Sequence, residues 1–245
     1  MNWQDEGLVI GVRRHGETSV ILELMTKAHG RHLGLVRGGR SRALRPVLQP
    51  GNHVEATWRA RLEEHLGAYA IEPVKSRAAR FIDHGFALHG LGYLGALLRL
   101  LPERDPHGDL FDMAGVIADR LDSPELSPAL VARFELALLA ALGFGLDLEA
   151  CALTGARGDL AYVSPKSGRA VGREAGEPWR DKLLPYPSFL RGDSSLATPG
   201  GEELVAAFRL TGYFLARDVF SARGAPMPPS RALYVGAVER AASSE

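Results

Sequence analysis

Apolar and polar positions alternate over the first third of the chain. Residues 54–61 show it most clearly: Val54, Ala56, Trp58 and Ala60 fall on one side, and Glu55, Thr57, Arg59 and Arg61 on the other. A period of two with one apolar side predicts a half-buried strand. In residues 17–26, Val20, Leu22 and Leu24 alternate with Ile21, Glu23 and Met25, and the run ends in the turn-like Lys27-Ala28-His29-Gly30. Residues 31–37 predict its partner, with Leu33 and Leu35 on one face, and residues 67–74 a fifth strand ended by Pro73. Five short strands in the first 76 residues, without intervening helices, predict a small closed barrel with an apolar interior and an Arg-bearing exterior. The five-stranded OB-fold is the economical form, and an SH3-like barrel is its nearest rival.

After Lys75 the period changes. Leu88, Leu91, Leu94, Leu98 and Leu101 recur every three or four residues, and Pro102 ends the run. Ser127-Pro128 predicts a capped helix start, followed by a stripe of Val131, Phe134, Leu138 and Leu142 and stopped by Gly143. A third long helix is expected over residues 202–222, with Leu204, Phe208, Thr211, Leu215 and Val219 on one face, and a last short one over 230–241. Between them, residues 151–175 are rich in glycine and predict a small β-ribbon inserted among the helices, at about 150–176. The expected class is therefore α+β: a barrel domain over 1–76 and an all-helical domain over 77–245 carrying the ribbon.

Composition excludes several classes. The longest apolar stretches are too short to span a bilayer, and the opening Met1-Asn2-Trp3-Gln4-Asp5-Glu6 is not the start of a signal peptide. One cysteine permits no internal disulfide, which makes the cytoplasm the expected location. The chain is neutral overall, yet residues 1–80 hold 13 basic and 8 acidic side chains. That asymmetry predicts one basic working surface on a neutral molecule.

The basic surface has a candidate centre. Arg31, Arg37, Arg40, Arg42 and Arg45 occur within 15 residues that contain no acid, with Gly38-Gly39 and Ser41 among them. Guanidinium forks match phosphate oxygens, and glycines let backbone approach them closely. The run leaves a strand for a loop, where a flexible clamp could follow a DNA backbone, and Arg59 and Arg61 on the neighbouring strand could extend the patch. Such a run is most often only a solvated loop. Here five arginines on a Gly-rich barrel favour nucleic acid. Trp3, Trp58, Tyr69 and Tyr93 are candidate stacking rings, although Trp58 falls on the apolar face and is expected inside the barrel.

Other motifs carry less. Gly90-Leu91-Gly92-Tyr93-Leu94-Gly95 matches a dinucleotide-binding pattern, but it lies inside a helical leucine repeat where a strand-to-helix turn is required. Cys151 lacks the paired ligands of a metal site, and no hydrolase, zinc-protease or P-loop pattern occurs. No catalytic residue, metal or cofactor is expected.

Several segments taken together resemble the bacterial DNA repair protein RecO family. They are Trp3-x-Asp5-Glu6-Gly7-Leu8-Val9-Ile10, then Gly30-Arg31-His32-x-Gly34-Leu35-Val36-Arg37-Gly38-Gly39, then Leu48-Gln49-Pro50-Gly51. Arg133-Phe134-Glu135, Leu142-Gly143-Phe144, Cys151-Ala152-Leu153-Thr154-Gly155 and Leu210-Thr211-Gly212-Tyr213 complete the set, so the likeness covers essentially the whole chain. The resemblance implies an N-terminal OB-fold and a helical C-terminal domain. It implies a non-enzymatic, nucleoid-associated mediator that binds single- and double-stranded DNA and anneals complementary strands. It implies partnership with RecR and with the C-terminal tail of single-strand-binding protein in loading RecA. Arg133 and Arg217 are candidates for holding that acidic tail. The competing reading is a protein-interaction adaptor whose basic loop takes an acidic protein tail in place of DNA. Many relatives carry a zinc ribbon with two C-x-x-C pairs; here the first survives only as Cys151 with Thr154, and the second falls near Gly172 and Ala175, so no zinc is expected.

Overall fold

The structure, a computed structural model, describes residues 1–191 and 198–243. Strands β1 (Asn2–His15), β2 (Ser19–Thr26), β3 (Gly30–Val36), β4 (His53–Arg59) and β5 (Ala68–Lys75) close into a barrel in the order β1-β2-β3-β5-β4. All pairings are antiparallel except β3 with β5, which meet in parallel at Leu35 and Ala68. This is the OB-fold arrangement. The 14-residue β1 pairs with β4 through its first half and with β2 through its second, with an irregularity between Val9 and Gly11. Such a break bends a strand, which lets one strand serve two sides of a closed sheet.

The alternation of β4 is realised: Val54, Ala56 and Trp58 are buried among Val9, Leu22, Leu24, Val36, Leu48 and Tyr69. Trp58 fills the barrel, and its indole N–H donates to the Leu66 carbonyl at 3.0 Å. Gly67 lies against that ring with φ +64°, and a Cβ there would stand 2.3 Å from Trp58 Nε1. Only glycine meets both demands.

Helices α1 (Ala78–Phe81), α2 (Gly85–Leu98) and α3 (Gly108–Arg120) complete the first compact unit, Met1–Asp122. Ion pairs tie them to the barrel and to one another: Lys27 to Asp112 at 2.8 Å, Lys75 to Asp119 at 2.6 Å, Arg77 to Asp119 at 2.7 Å and Arg80 to Asp122 at 2.5 Å. The change of period near residue 76 thus marks the end of the barrel, while the compact unit runs on to Asp122. On α2 the buried face includes Ala87, Gly90, Tyr93, Leu94, Leu97 and Leu98. Leu88, expected on the buried stripe, is exposed, because the packed face is turned toward the small residues. Gly90 to Gly95 lie in mid-helix, and Tyr93 is fully buried, so it is no stacking platform.

The second unit, Ser123–Glu245, is mainly helical. Helix α4 (Ser127–Ala141) begins at Ser127 with Pro128 in its first turn. The Ser127 hydroxyl does not cap it but lies 2.9 Å from the Tyr234 hydroxyl in the interior. The inserted ribbon has three strands, β6 (Leu160–Val163), β7 (Ala170–Gly172) and β8 (Leu184–Pro185), in the order β7-β6-β8, so it reaches past the expected bound near 176. The short α5 (Arg173–Gly176) follows β7. The expected helix over 202–222 is α6 (Gly201–Phe214) continued by a π-helical turn, Leu215–Phe220, and a 3-10 turn, Ser221–Arg223. Gly224 ends it in a left-handed conformation, and α7 (Pro229–Ala242) closes the fold.

Candidate nucleic-acid interface

The basic run lies in the long connection between β3 and β4, residues 37–52, which is anchored to the barrel at several points. Leu48 is buried in the barrel core. The Asn52 amide donates to the carbonyls of Pro46 at 2.8 Å and Val47 at 3.0 Å, while its Oδ1 accepts from the N–H groups of Arg77 and Ala78. The Arg40 N–H donates to Thr18 at 3.0 Å, and its guanidinium to the Glu17 carbonyl, which fastens the connection to the β1–β2 hairpin. Gly39 is explained by packing: a Cβ there would stand 2.6 Å from Val20.

This fastening gathers charge. Arg40 and Arg45 line a hollow of about 310 Å³ together with Arg14, Val12, Val20 and Leu48. The same two arginines join Arg42 along an adjacent groove of about 740 Å³ with an apolar floor that includes Phe81, Ile82 and Leu88. Arg37 stands exposed where β3 enters the connection. Among the described residues, none of Arg14, Arg37, Arg40, Arg42 and Arg45 forms an ion pair with a carboxylate. Like charges repel one another within a Debye length of about 10 Å.

Three of the expected contributors stand elsewhere. Arg31 is committed internally, to Glu23 at 3.0 Å and to the Leu101 carbonyl at 3.1 Å, with Glu103 at 3.4 Å. Arg59 and Arg61 leave β4 at the end where Arg59 pairs with Asn2, and neither lines the two hollows. Arg14 was not foreseen. It is 23 residues before Arg37 in sequence, and only the pairing of Arg14 with Val20, and of Val20 with Val36, brings it beside the loop.

The sequence models described as Recombination protein O N terminal and Recombination protein O C terminal match residues 1–77 and 84–225. The chain belongs to the RecO family of DNA repair proteins. It is 60% identical over 246 residues to the DNA repair protein RecO of Chelativorans sp. (strain BNC1), covering 98% of this chain and 96% of the relative. To the DNA repair protein RecO of Methylobacterium nodulans it is 59% identical over 238 residues, covering 96% and 97%. To that of Rhizobium etli (strain ATCC 51251 / DSM 11541 / JCM 21823 / NBRC 15573 / CFN 42) it is 59% identical over 241 residues, covering 98% and 94%. Its role lies in DNA repair and recombination. No helix among the described residues is long and apolar enough to cross a membrane.

For this RecO chain the helical unit adds no second basic cluster from the two residues expected there. Arg133 donates to the Phe189 carbonyl at 2.8 Å and lies over the Phe189 ring. Arg217 pairs with Asp218 at 2.6 Å and packs over Phe214. At the ribbon, Gly172 approaches Cys151, donating its N–H to Sγ at 3.2 Å. The position offers one thiol where a structural zinc takes four N or S ligands. No cluster of three or more His, Cys, Asp or Glu able to hold a metal occurs among the described residues.

Proposed function

We propose that this RecO chain is a non-enzymatic DNA-binding mediator whose β3–β4 connection holds phosphates with Arg37, Arg40, Arg42 and Arg45, joined by Arg14. The observation that carries the reading is the set of neighbouring guanidiniums without carboxylate partners on an anchored loop. Each phosphate neutralised releases condensed counterions, which drives binding regardless of sequence. Two complementary strands held on one neutralised surface repel less, so annealing accelerates. Through RecR and the C-terminal tail of single-strand-binding protein, the bound strand is handed to RecA. Arg31 supports the barrel and not the phosphates.

The test is the salt dependence of binding to a single-stranded oligonucleotide. Replacing Arg37, Arg40, Arg42 and Arg45 together by Ala should make the log–log slope shallower by about 3, at about 0.7 per lost contact, and slow annealing. Because Arg40 also fastens the hairpin, the triple Arg37, Arg42 and Arg45 variant serves as a milder companion, with an expected change of about 2. A folded variant that keeps the wild-type slope and annealing rate would overturn the reading.

One observation favours the adaptor reading. The groove beside Arg40, Arg42 and Arg45 has an apolar floor, with Ile82 70% and Leu88 45% exposed, which suits an acidic peptide carrying an apolar side chain. A gel shift with naked oligonucleotide separates the two. If the chain binds an acidic peptide and not the oligonucleotide, the adaptor reading replaces the first.

A further inference from the structure

At the start of β1 an aromatic stack runs outward from the barrel core. Trp58 is fully buried, Trp3 is half-buried, and the His29 side chain is 33% exposed. The Trp3 ring lies within 18° of parallel to Trp58, with centroids 5.7 Å apart, and within 9° of parallel to His29, at 4.1 Å. The His29 ring is fixed by Asp5, whose carboxylate lies 3.0 Å from Nδ1 and also accepts the Ala28 N–H at 2.8 Å.

These rings border a hollow of about 560 Å³ shared with His32, Glu63 and Arg104. His32 forms part of its floor and is 3% exposed. Its Nδ1 lies 2.9 Å from the Leu33 carbonyl and 3.1 Å from the Tyr69 hydroxyl, which together fix the ring. Burial, with help from Arg104, holds its pKa down at about 4, so the ring is neutral at physiological pH. Arg104 has φ +63°, a left-handed conformation that a non-glycine residue adopts only when its surroundings impose it. Its guanidinium donates to the carbonyls of Glu63 and His65, and its own N–H to Arg31. The strain places a cation at the hollow.

Arg59 and Arg61 stand next to this place along the chain, although neither lines the hollow itself. Arg59 follows Trp58 and pairs with Asn2, and Arg61 follows Ala60, whose carbonyl accepts from the Met1 amine at 2.7 Å. Both are exposed, and neither forms an ion pair with a carboxylate among the described residues. Parallel rings beside unpaired cations are the features with which proteins take single-stranded nucleic acid. The imidazole of His32 and the carboxylate of Glu63 offer hydrogen-bonding partners for the edge of an unpaired base, and duplex DNA keeps that edge engaged.

We infer that the hollow is a subsite for one unpaired nucleobase, which extends the Trp58–Trp3–His29 stack while Arg59 and Arg61 face the adjoining phosphates. The inference rests on the DNA-binding reading above and makes the chain read bases as well as backbone charge. It also gives Arg59 and Arg61 a task separate from that of the loop arginines.

The test compares a 12-nucleotide oligo(dT) with an abasic oligonucleotide of the same length and charge, at one salt concentration. Wild-type protein should bind oligo(dT) about 10-fold more tightly, on the scale of one stacked base. The His29→Ala variant, altered at an exposed turn, should reduce that preference to less than twofold with an unchanged salt slope. The His29→Phe variant, which keeps a ring, should retain it. Equal binding of the two oligonucleotides by wild type overturns the subsite, as does a preference that survives in both His29→Ala and a folded Trp3→Leu variant. Failure to bind either oligonucleotide overturns instead the DNA-binding reading on which the subsite depends.

Discussion

Replacing Glu135 by Ala is expected to destabilise the helical unit by about 3–5 kcal/mol, the cost of removing one partner from a buried charge pair. Glu135 on α4 is fully buried. Arg231 on α7 donates to its Oε1 at 3.0 Å, and the Thr211 hydroxyl on α6 donates to Oε2. Arg231 also donates to the Phe208 carbonyl at 2.8 Å and lies over the Phe208 ring. One carboxylate thus joins three helices. Its removal takes this carboxylate from a guanidinium that is only 14% exposed and opens a cavity beside it. The close approach is built into α6, where a Cβ on Gly212 would stand 2.6 Å from Arg231. Urea unfolding followed by circular dichroism measures the effect. The double variant Glu135→Leu with Arg231→Met should regain most of the loss, since it removes both charges and restores packing. A single variant that costs less than about 1 kcal/mol, the worth of an exposed pair, would show that the network is solvated and that α4, α6 and α7 are held by apolar contacts alone.

Periodicity made the barrel legible before its topology was known. The alternation from Val54 to Trp58 was readable because a half-buried strand leaves its pattern in adjacent residues. Helix α3 also carries a stripe, Leu110, Phe111, Ala114, Ile117 and Ala118, but two of the five are alanines, which contrast weakly with their neighbours. The helical run after Phe214 was legible as apolar spacing; its π-turn was not, because one extra residue in a turn leaves the composition unchanged.

The site was legible only where its members are close in sequence. Arg37, Arg40, Arg42 and Arg45 stand on one connection. Arg14 reaches them through strand pairing, which no local pattern announces. Arg31 failed for the converse reason. Its segment contains no acid, yet Glu23 pairs with Leu33 across the β2–β3 ladder and so lies diagonally beside Arg31. An acid-free run in the chain is not an acid-free surface. Likewise the tryptophans were visible as rings, but the stack needs the turn that brings His29 onto Trp3.

The barrel should lose stability as the pH falls from about 6.5 to about 4, by about 1.4 kcal/mol per pH unit from His32 alone. Burial first, and the Arg104 charge second, lower the folded pKa of His32 to about 4, against about 6.5 when unfolded. Above the unfolded value the ring is neutral in both states and contributes no slope. Between the two values only the unfolded chain takes the proton, so acid favours unfolding, for a total of about 3 kcal/mol. Below about 4 both states are protonated and the slope ends. Asp119 acts in a separate window. Burial raises its pKa, but Arg77 and Lys75 overrule that and hold it at about 2, so its contribution is present above about 3.8 and is lost as pH falls toward 2. His53 is also shifted down, by burial and by Arg77, which steepens the wild-type curve. The decisive comparison is therefore between wild type and His32→Gln. The variant should be less stable at pH 7.5, having lost packing against Trp58 and Tyr69, but should fall less steeply, so that the two unfolding free energies converge as the pH approaches 4. Parallel curves over that range would mean that His32 takes up its proton inside the folded barrel, and that the aromatic hollow is wetter than its packing implies.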